Sequence, residues 1–263
     1  MTAVALTIAG SDPSGGAGLQ ADLKTFQRHG VYGMSVVTLL TVQNTQCVSD
    51  VRMLERELVL AQLDAVLNDI PPQAAKTGAL GNQALIQAVA QRAREFRFPL
   101  VVDPVMISKH GMSLIDQDAV QTLVELLLPC AFLVTPNRLE AARLADMAVD
   151  DLPVDDLAAM ERAAAIIAKR GAKNVLIKGG RVAEQTIDVL WTAGEIHHLT
   201  APHIETPHTH GTGCVLSAAI TAHLAQGLDL LTAVRRAKHF ISSAIQSSPG
   251  LGHGRGPVNF LNP

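Results

Sequence analysis

The chain is short of cysteine, has no basic stripe and contains no long apolar run, and each shortage removes a class of protein. Three cysteines in 263 residues, Cys47, Cys130 and Cys214, are odd in number and far apart. That excludes a disulfide framework and suits free thiols in a reducing compartment, so a cytoplasmic location is expected. Lysine and arginine total 21 against 24 acidic residues, a net charge of −3, without clustering. No electrostatic footprint for nucleic acid or an anionic membrane results. No apolar stretch approaches the roughly 20 residues that span a bilayer, and the apolar start is too short and lacks the basic flank of a signal sequence. Apolar residues are plentiful at 48%, enough to bury a large core in one α/β domain over residues 1–263.

Strand-like and helix-like patterns alternate along the chain. Strands are expected near residues 3–9, 34–41, 74–76, 100–102, 132–135 and 175–177, with helices near 19–29, 83–96, 119–128 and 157–169. A further helix carries Leu60, Leu63, Leu67 and Ile70 on one face. Such alternation predicts a mostly parallel sheet covered by helices on both faces, with ligands at the carboxyl ends of the strands. Residues 187–191 and 196–200, joined through Ala193-Gly194-Glu195, read as an antiparallel hairpin near one sheet edge.

Two glycine-rich segments stand out. Gly10-Ser11-Asp12-Pro13-Ser14-Gly15-Gly16-Ala17-Gly18 joins the first strand to a helix but matches neither a P-loop nor Gly-x-Gly-x-x-Gly. Thr209-His210-Gly211-Thr212-Gly213-Cys214 opens an apolar helical run whose first N–H groups lack intrahelical partners and suit an anion. Gly211 and Gly213 are both expected to adopt positive φ there. Taken alone, the segment is equally a turn with Cys214 as a small buried hydrophobe. Asp103, in Val102-Asp103-Pro104-Val105, ends a hydrophobic strand, and Lys178 ends another before Gly179-Gly180. Asn137 and Glu140, three apart, share the first turn of the next helix, as metal-organising residues or as a plain capping box.

In order, the blocks Ala9 to Gly18, Gln20-Ala21-Asp22-Leu23-Lys24, Val42-Gln43-Asn44-Thr45, Lys76-Thr77-Gly78, Val102 to Met106, Thr135-Pro136-Asn137-x-x-Glu140, Lys178-Gly179-Gly180 and His210-Gly211-Thr212-Gly213-Cys214 resemble the ribokinase-like hydroxymethylpyrimidine/phosphomethylpyrimidine kinases end to end. The resemblance implies a three-layer ribokinase-like fold, ATP and Mg²⁺, a small pyrimidine as phosphoryl acceptor in thiamine biosynthesis, and a homodimer. It implies that Gln43, with Asp22, Gly10 and Val105, binds the pyrimidine. Asp103, Asn137, Lys178 and Thr209 would meet the nucleotide, and Asn137 and Glu140 would hold Mg²⁺ through water. Gly211, Thr212, Gly213 and Cys214 would form an anion hole, with Lys178 neutralising the transferred group. Many ribokinase-like kinases carry a catalytic aspartate where this chain has Cys214, and a helix N-terminus can draw a thiol pKa down, so Cys214 is expected to act as a thiolate base, the alternative being that it only lines the anion hole. Ala79 departs from the family pattern, standing where some pyrimidine kinases carry methionine.

Three readings compete. Pyridoxal phosphorylation uses the same fold and a similar flat heterocycle. His203, His208, His210 and Cys214 in one segment raise a zinc hydrolase, although their spacing matches no usual zinc pattern. A silent vitamin-binding protein is the third, disfavoured by the intact acid and lysine positions.

Overall fold

The computed structural model describes residues 2–107, 114, 115 and 117–261. Nine strands form one sheet: β1 (Val4–Ser11), β2 (Tyr32–Gln43), β3 (Val48–Met53), β4 (Ala74–Thr77), β5 (Leu100–Val102), β6 (Leu133–Val134), β7 (Asn174–Val182), β8 (Gln185–Thr192) and β9 (Glu195–Pro202). Their spatial order is β3-β2-β1-β4-β5-β6-β7-β8-β9. The six central strands β2, β1, β4, β5, β6 and β7 run parallel, and β3, β8 and β9 add antiparallel edges. From β1 the chain winds outward in both directions, which opens a crevice at the carboxyl ends of the strands.

The helices are α1 (Gly18–Arg28), α2 (Arg56–Asp69), α3 (Gln83–Ala93), α4 (Gln117–Thr122), α5 (Arg138–Ala145), α6 (Leu157–Lys169), α7 (Thr212–Ala225) and α8 (Leu230–Gln246). Period-2 alternation in the strands feeds two cores. Leu6, Val102, Val134, Val175 and Ile177 face the side covered by α2 to α6. Ala5, Val101, Leu133, Leu176 and Leu190 face the side covered by α1, α7 and α8. Every residue of α7 from Val215 to Ala225 is buried. A helix apolar all round must lie inside the protein, and that places its N-terminus at the crevice rather than at the surface.

The expected strands, alternation and hairpin are present, with four local differences. The fourth helix of the sequence pattern, 119–128, widens and then tightens: α4 runs into a π-helical turn at Leu123–Leu127 and a 3₁₀ turn at Leu128–Cys130, where Pro129 cannot continue the α ladder. β7 does not stop before Lys178 but continues to Val182 across a register shift at Gly179, whose φ is +87°. β3 and α8 go beyond the sequence pattern. Of Leu60, Leu63, Leu67 and Ile70, only Leu63 is fully buried, beside Val59 on α2, and Ile70 is exposed at the end. Among the described residues no helix is long and apolar enough to cross a membrane, and all three cysteines are free.

Candidate active site

A cavity of about 420 Å³ lies at the carboxyl ends of β1, β2, β4, β5 and β7 and the N-terminus of α7. Its walls include Gly10, Gln43, Ala79, Asp103, Val105, Asn137, Glu140, Lys178 and the run Thr209 to Cys214, and Asp22 reaches it from α1. The structure thus gathers in one place every residue that the resemblance assigned to substrate, nucleotide, metal or anion hole.

Helix starts show how the cavity is prepared for an anion. Asn82, Asp156 and Asp229 cap α3, α6 and α8 with side-chain oxygens that accept from Leu85, Ala159 and Thr232 N–H. α7 has no side-chain cap. Its N-cap is Gly211 at φ +77°, where a Cβ would stand 1.9 Å from Gly16 O, so only glycine fits. Gly213 differs from expectation: it lies inside the helix without positive φ, and its missing side chain makes room instead, since a Cβ would stand 3.2 Å from Lys178 Nζ. The first-turn amides therefore meet a lysine across an open gap.

Lys178 Nζ donates to Asp103 Oδ1 at 3.1 Å, and Ser217 Oγ on α7 donates to Asp103 Oδ2 at 3.2 Å. Burial works against the Lys178 charge, but Asp103 and Glu140 reverse that and hold the ammonium above its usual range. Asn137 and Glu140 form a reciprocal capping box, each side chain accepting from the other's backbone N–H. Burial pushes the Glu140 carboxyl up to about 7, with Asp103 adding repulsion against the pull of Lys178.

Three expectations change. Asp22 does not present a free carboxylate to a ligand: it is wholly buried, with Lys76 Nζ at 2.7 Å on Oδ1 and Thr7 Oγ1 at 2.6 Å on Oδ2. Burial pushes the Asp22 carboxyl up against the pull of Lys76. Cys214 is not drawn toward a thiolate: burial pushes its thiol up to about 12, and Lys76 only partly opposes this. The histidines do not converge on a metal. His203 pairs with Thr186 Oγ1 at the sheet edge and His210 with Asp12, and no group of three or more His, Cys, Asp or Glu among the described residues is arranged to hold an ion.

For magnesium the test is the donor set. Two carboxylates are at hand, Asp103 and Glu140, and Asn137 Oδ1 and Glu140 Oε2 are engaged in the capping box. So small a set fits Mg²⁺ kept largely in its own water, and does not fit a zinc cage.

The sequence reading missed Lys76 and Asp12. Lys76 lies in a four-residue strand buried along its whole length, and a charge at such a position was the available signal for a buried partner. Asp12 is nearly as deep at 2% exposed and accepts from His210 Nε2 at 2.8 Å and from the amides of Ser14 and Ala17. Nothing in the local pattern links positions 12 and 210.

The profile of the phosphomethylpyrimidine kinase family matches residues 12–259. The hydroxymethylpyrimidine/phosphomethylpyrimidine kinase of Synechococcus elongatus is 46% identical over 99% of this chain and 98% of its own length. An ADP complex of Bacillus subtilis pyridoxal kinase superposes with a TM-score of 0.89 at 38% identity, covering 99% of this chain and 98% of that one. A phosphomethylpyrimidine kinase from Clostridium difficile superposes at 0.79, also 38% identical, covering 93% and 100%.

Proposed function

The chain belongs to the phosphomethylpyrimidine kinase family, and from that premise we propose that it transfers the γ-phosphoryl group of ATP to 4-amino-5-hydroxymethyl-2-methylpyrimidine and then to the resulting monophosphate. The observation that carries this reading is the joining, in one cavity, of an uncapped helix N-terminus, a lysine–aspartate pair and an amide side chain suited to an aminopyrimidine edge.

Gln43, beside Gly10, Ala79 and Val105, reads the pyrimidine. The amides of Thr212, Gly213 and Cys214 receive the transferring phosphoryl group, and Lys178 neutralises charge on its oxygens. Asp103 and Ser217 hold Lys178 in place. Thr209 and Asn137 line the nucleotide side, and Glu140 with Asn137 holds Mg²⁺ through water. The metal supplies neutralisation of the phosphate charges. Neither step asks for a strong base. Phosphoryl transfer proceeds through a loose transition state, and in the second step the acceptor is a phosphate already ionised near neutral pH. A thiol at about 12 in Cys214 is compatible with that chemistry. Homodimerisation is part of the same reading, supported by Leu40, Val42 and Met53 exposed along the β2–β3 edge. A concentration-independent monomer in sedimentation would remove it.

The decisive assay is a coupled measurement of kcat/KM for the pyrimidine, its monophosphate and pyridoxal. Both pyrimidine steps are expected to exceed pyridoxal. Efficient pyridoxal turnover with negligible pyrimidine turnover would overturn the reading.

A further inference from the structure

Gln43 ends β2 at the cavity, and the group behind it is charged. His210 Nε2 lies 2.8 Å from Asp12 Oδ2, and Gln43 Nε2 lies 3.4 Å from the same ring nitrogen. Gln43 is also among the neighbours that hold the Asp12 carboxyl low, which sets its side chain beside that carboxylate. Asp12 and His210 are 2% and 3% exposed. Burial raises the Asp12 pKa, but hydrogen bonds from His210, Ser14 and Gln43 outweigh it and hold the carboxyl at about 2. It is therefore a carboxylate at working pH, and a carboxylate only accepts hydrogen bonds.

The orientation of Gln43 follows. The two nitrogens 3.4 Å apart cannot bond each other when both carry hydrogen, and the His210 nitrogen is directed at Asp12. His210 Nε2 must bear the proton, because Asp12 has none to give. The end of Gln43 that faces the pair must be its NH₂, since the reverse orientation sets Oε1 against the carboxylate with no hydrogen between. An amide whose ends are otherwise interchangeable is given one direction by a buried charge. One N–H is turned toward the Asp12 charge, and the side chain keeps Oε1 and the N–H beside it for a ligand.

The geometry points to Asp12, steadied by His210, as the positioning residue that sets acceptor specificity by locking Gln43 as an acceptor–donor pair toward the cavity. A ring nitrogen next to an exocyclic amine offers the matching donor and acceptor. A 4-oxopyrimidine offers the reverse, a carbonyl beside a ring N–H, and pyridoxal has no amine next to its ring nitrogen. The inference rests on the aminopyrimidine reading above and supplies its discriminating element. The same pair also ties the glycine-rich loop to the segment before α7, because His210 N donates to Gly256 O and Asp12 caps the amides of Ser14 and Ala17.

The test is equilibrium binding of 4-amino- and 4-oxo-5-hydroxymethyl-2-methylpyrimidine to the wild-type protein and to Asp12→Asn, with steady-state kinetics alongside. The wild-type protein is expected to prefer the amino compound by about 10²-fold or more, as sites built around fixed hydrogen bonds do. In Asp12→Asn the neighbouring amide can offer either end, Gln43 is free to turn, and the two ligands should come within about tenfold, with KM for ATP within about twofold of wild type. Asp12→Ser, which keeps an acceptor for the Ser14 and Ala17 amides, should behave alike. A variant that weakens both ligands equally and keeps their ratio overturns the inference, and so does a wild-type protein that binds both equally. Failure of both variants to fold makes the pair structural and also overturns it. The functional reading fails separately, if the wild-type protein does not phosphorylate the aminopyrimidine at all.

Discussion

Two lysine–aspartate pairs stand about the carboxyl ends of the central strands and differ chiefly in what surrounds them. Lys76 and Asp22 are both wholly buried, 2.7 Å apart, with Thr7 on the second carboxylate oxygen. Lys178 and Asp103 are 3.1 Å apart at 13% and 3% side-chain exposure, beside a glycine that leaves space next to Nζ. The first pair faces its own partners, whereas the second keeps ammonium hydrogens for something else. On the proposed function, the same chemistry serves as scaffold where it is sealed and as machinery where it opens on a cavity. Both ammonium groups stay protonated against burial because carboxylates surround them.

The sharpest way to break the comparison is to remove each lysine. Lys76→Met leaves Asp22 buried without its cation and should destabilise the protein by about 3–5 kcal/mol in urea unfolding. Replacing Asp22 with leucine in the same chain should recover most of that loss. A cost below about 1 kcal/mol would mean that the sealed pair is not scaffold.

Next in size, Lys178→Met should lower kcat by about 10²–10³-fold, the usual scale for losing one preorganised charge at the transferring group. Its stability loss should be clearly smaller than that of Lys76→Met, because water can reach Asp103 through the cavity. If chemical denaturation places both variants at the same midpoint while Lys178→Met retains near-normal turnover, the division into scaffold and machinery is wrong.

Glu140 sharpens the open side through pH. Its folded pKa of about 7 lies above its ordinary 4.5. A carboxyl raised in this way gives stability that is complete below the unfolded value and is lost as pH climbs through the folded one. Glu140→Gln cannot titrate, so the difference in Tm between wild type and variant should change between about pH 4.5 and 7, by on the order of 3 kcal/mol in stability. The buried histidines His29 and His223, whose pKa values burial lowers, contribute an opposite slope below their usual value in both proteins and cancel in the difference. Parallel curves for the two proteins would show that Glu140 is ionised throughout.

What the sequence reveals about this arrangement follows from range. Strands with short apolar runs, such as Leu100–Val102, and the turn at Gly211 announce themselves locally, because periodicity and glycine chemistry act over a few residues. The open pair is half legible: Asp103 and Lys178 each end an apolar run, although their meeting 75 residues apart is tertiary. The sealed pair is not. Asp22 looks available on an amphipathic helix until Lys76 is brought onto it, and β3, a mixed polar strand, gains its identity only from pairing with β2. At Cys214 the two ranges oppose each other: helix position is local and favours the thiolate, whereas burial is global and pushes the thiol up.

Cys214 gives the smallest expected effect and lies near both pairs, close enough for its ionisation to couple to Lys76 and Lys178. If the sealed lysine is scaffold only, it does not activate the thiol, and a group at about 12 cannot take a proton from the acceptor near neutral pH. The anion is then held by backbone N–H groups, which a serine at this position leaves intact, with an oxygen of similar reach in place of Sγ. Cys214→Ser should therefore keep kcat within about threefold of wild type for both the pyrimidine and its monophosphate. The contrary outcome has a distinct signature. A general base contributes about 10²–10⁴-fold, and that loss should fall mainly on the hydroxymethyl step, because the phosphate acceptor is already ionised. A loss of that size confined to the first step would show that Lys76 lowers the thiol pKa once the ligands are bound, and the sealed pair would have to be counted as machinery after all.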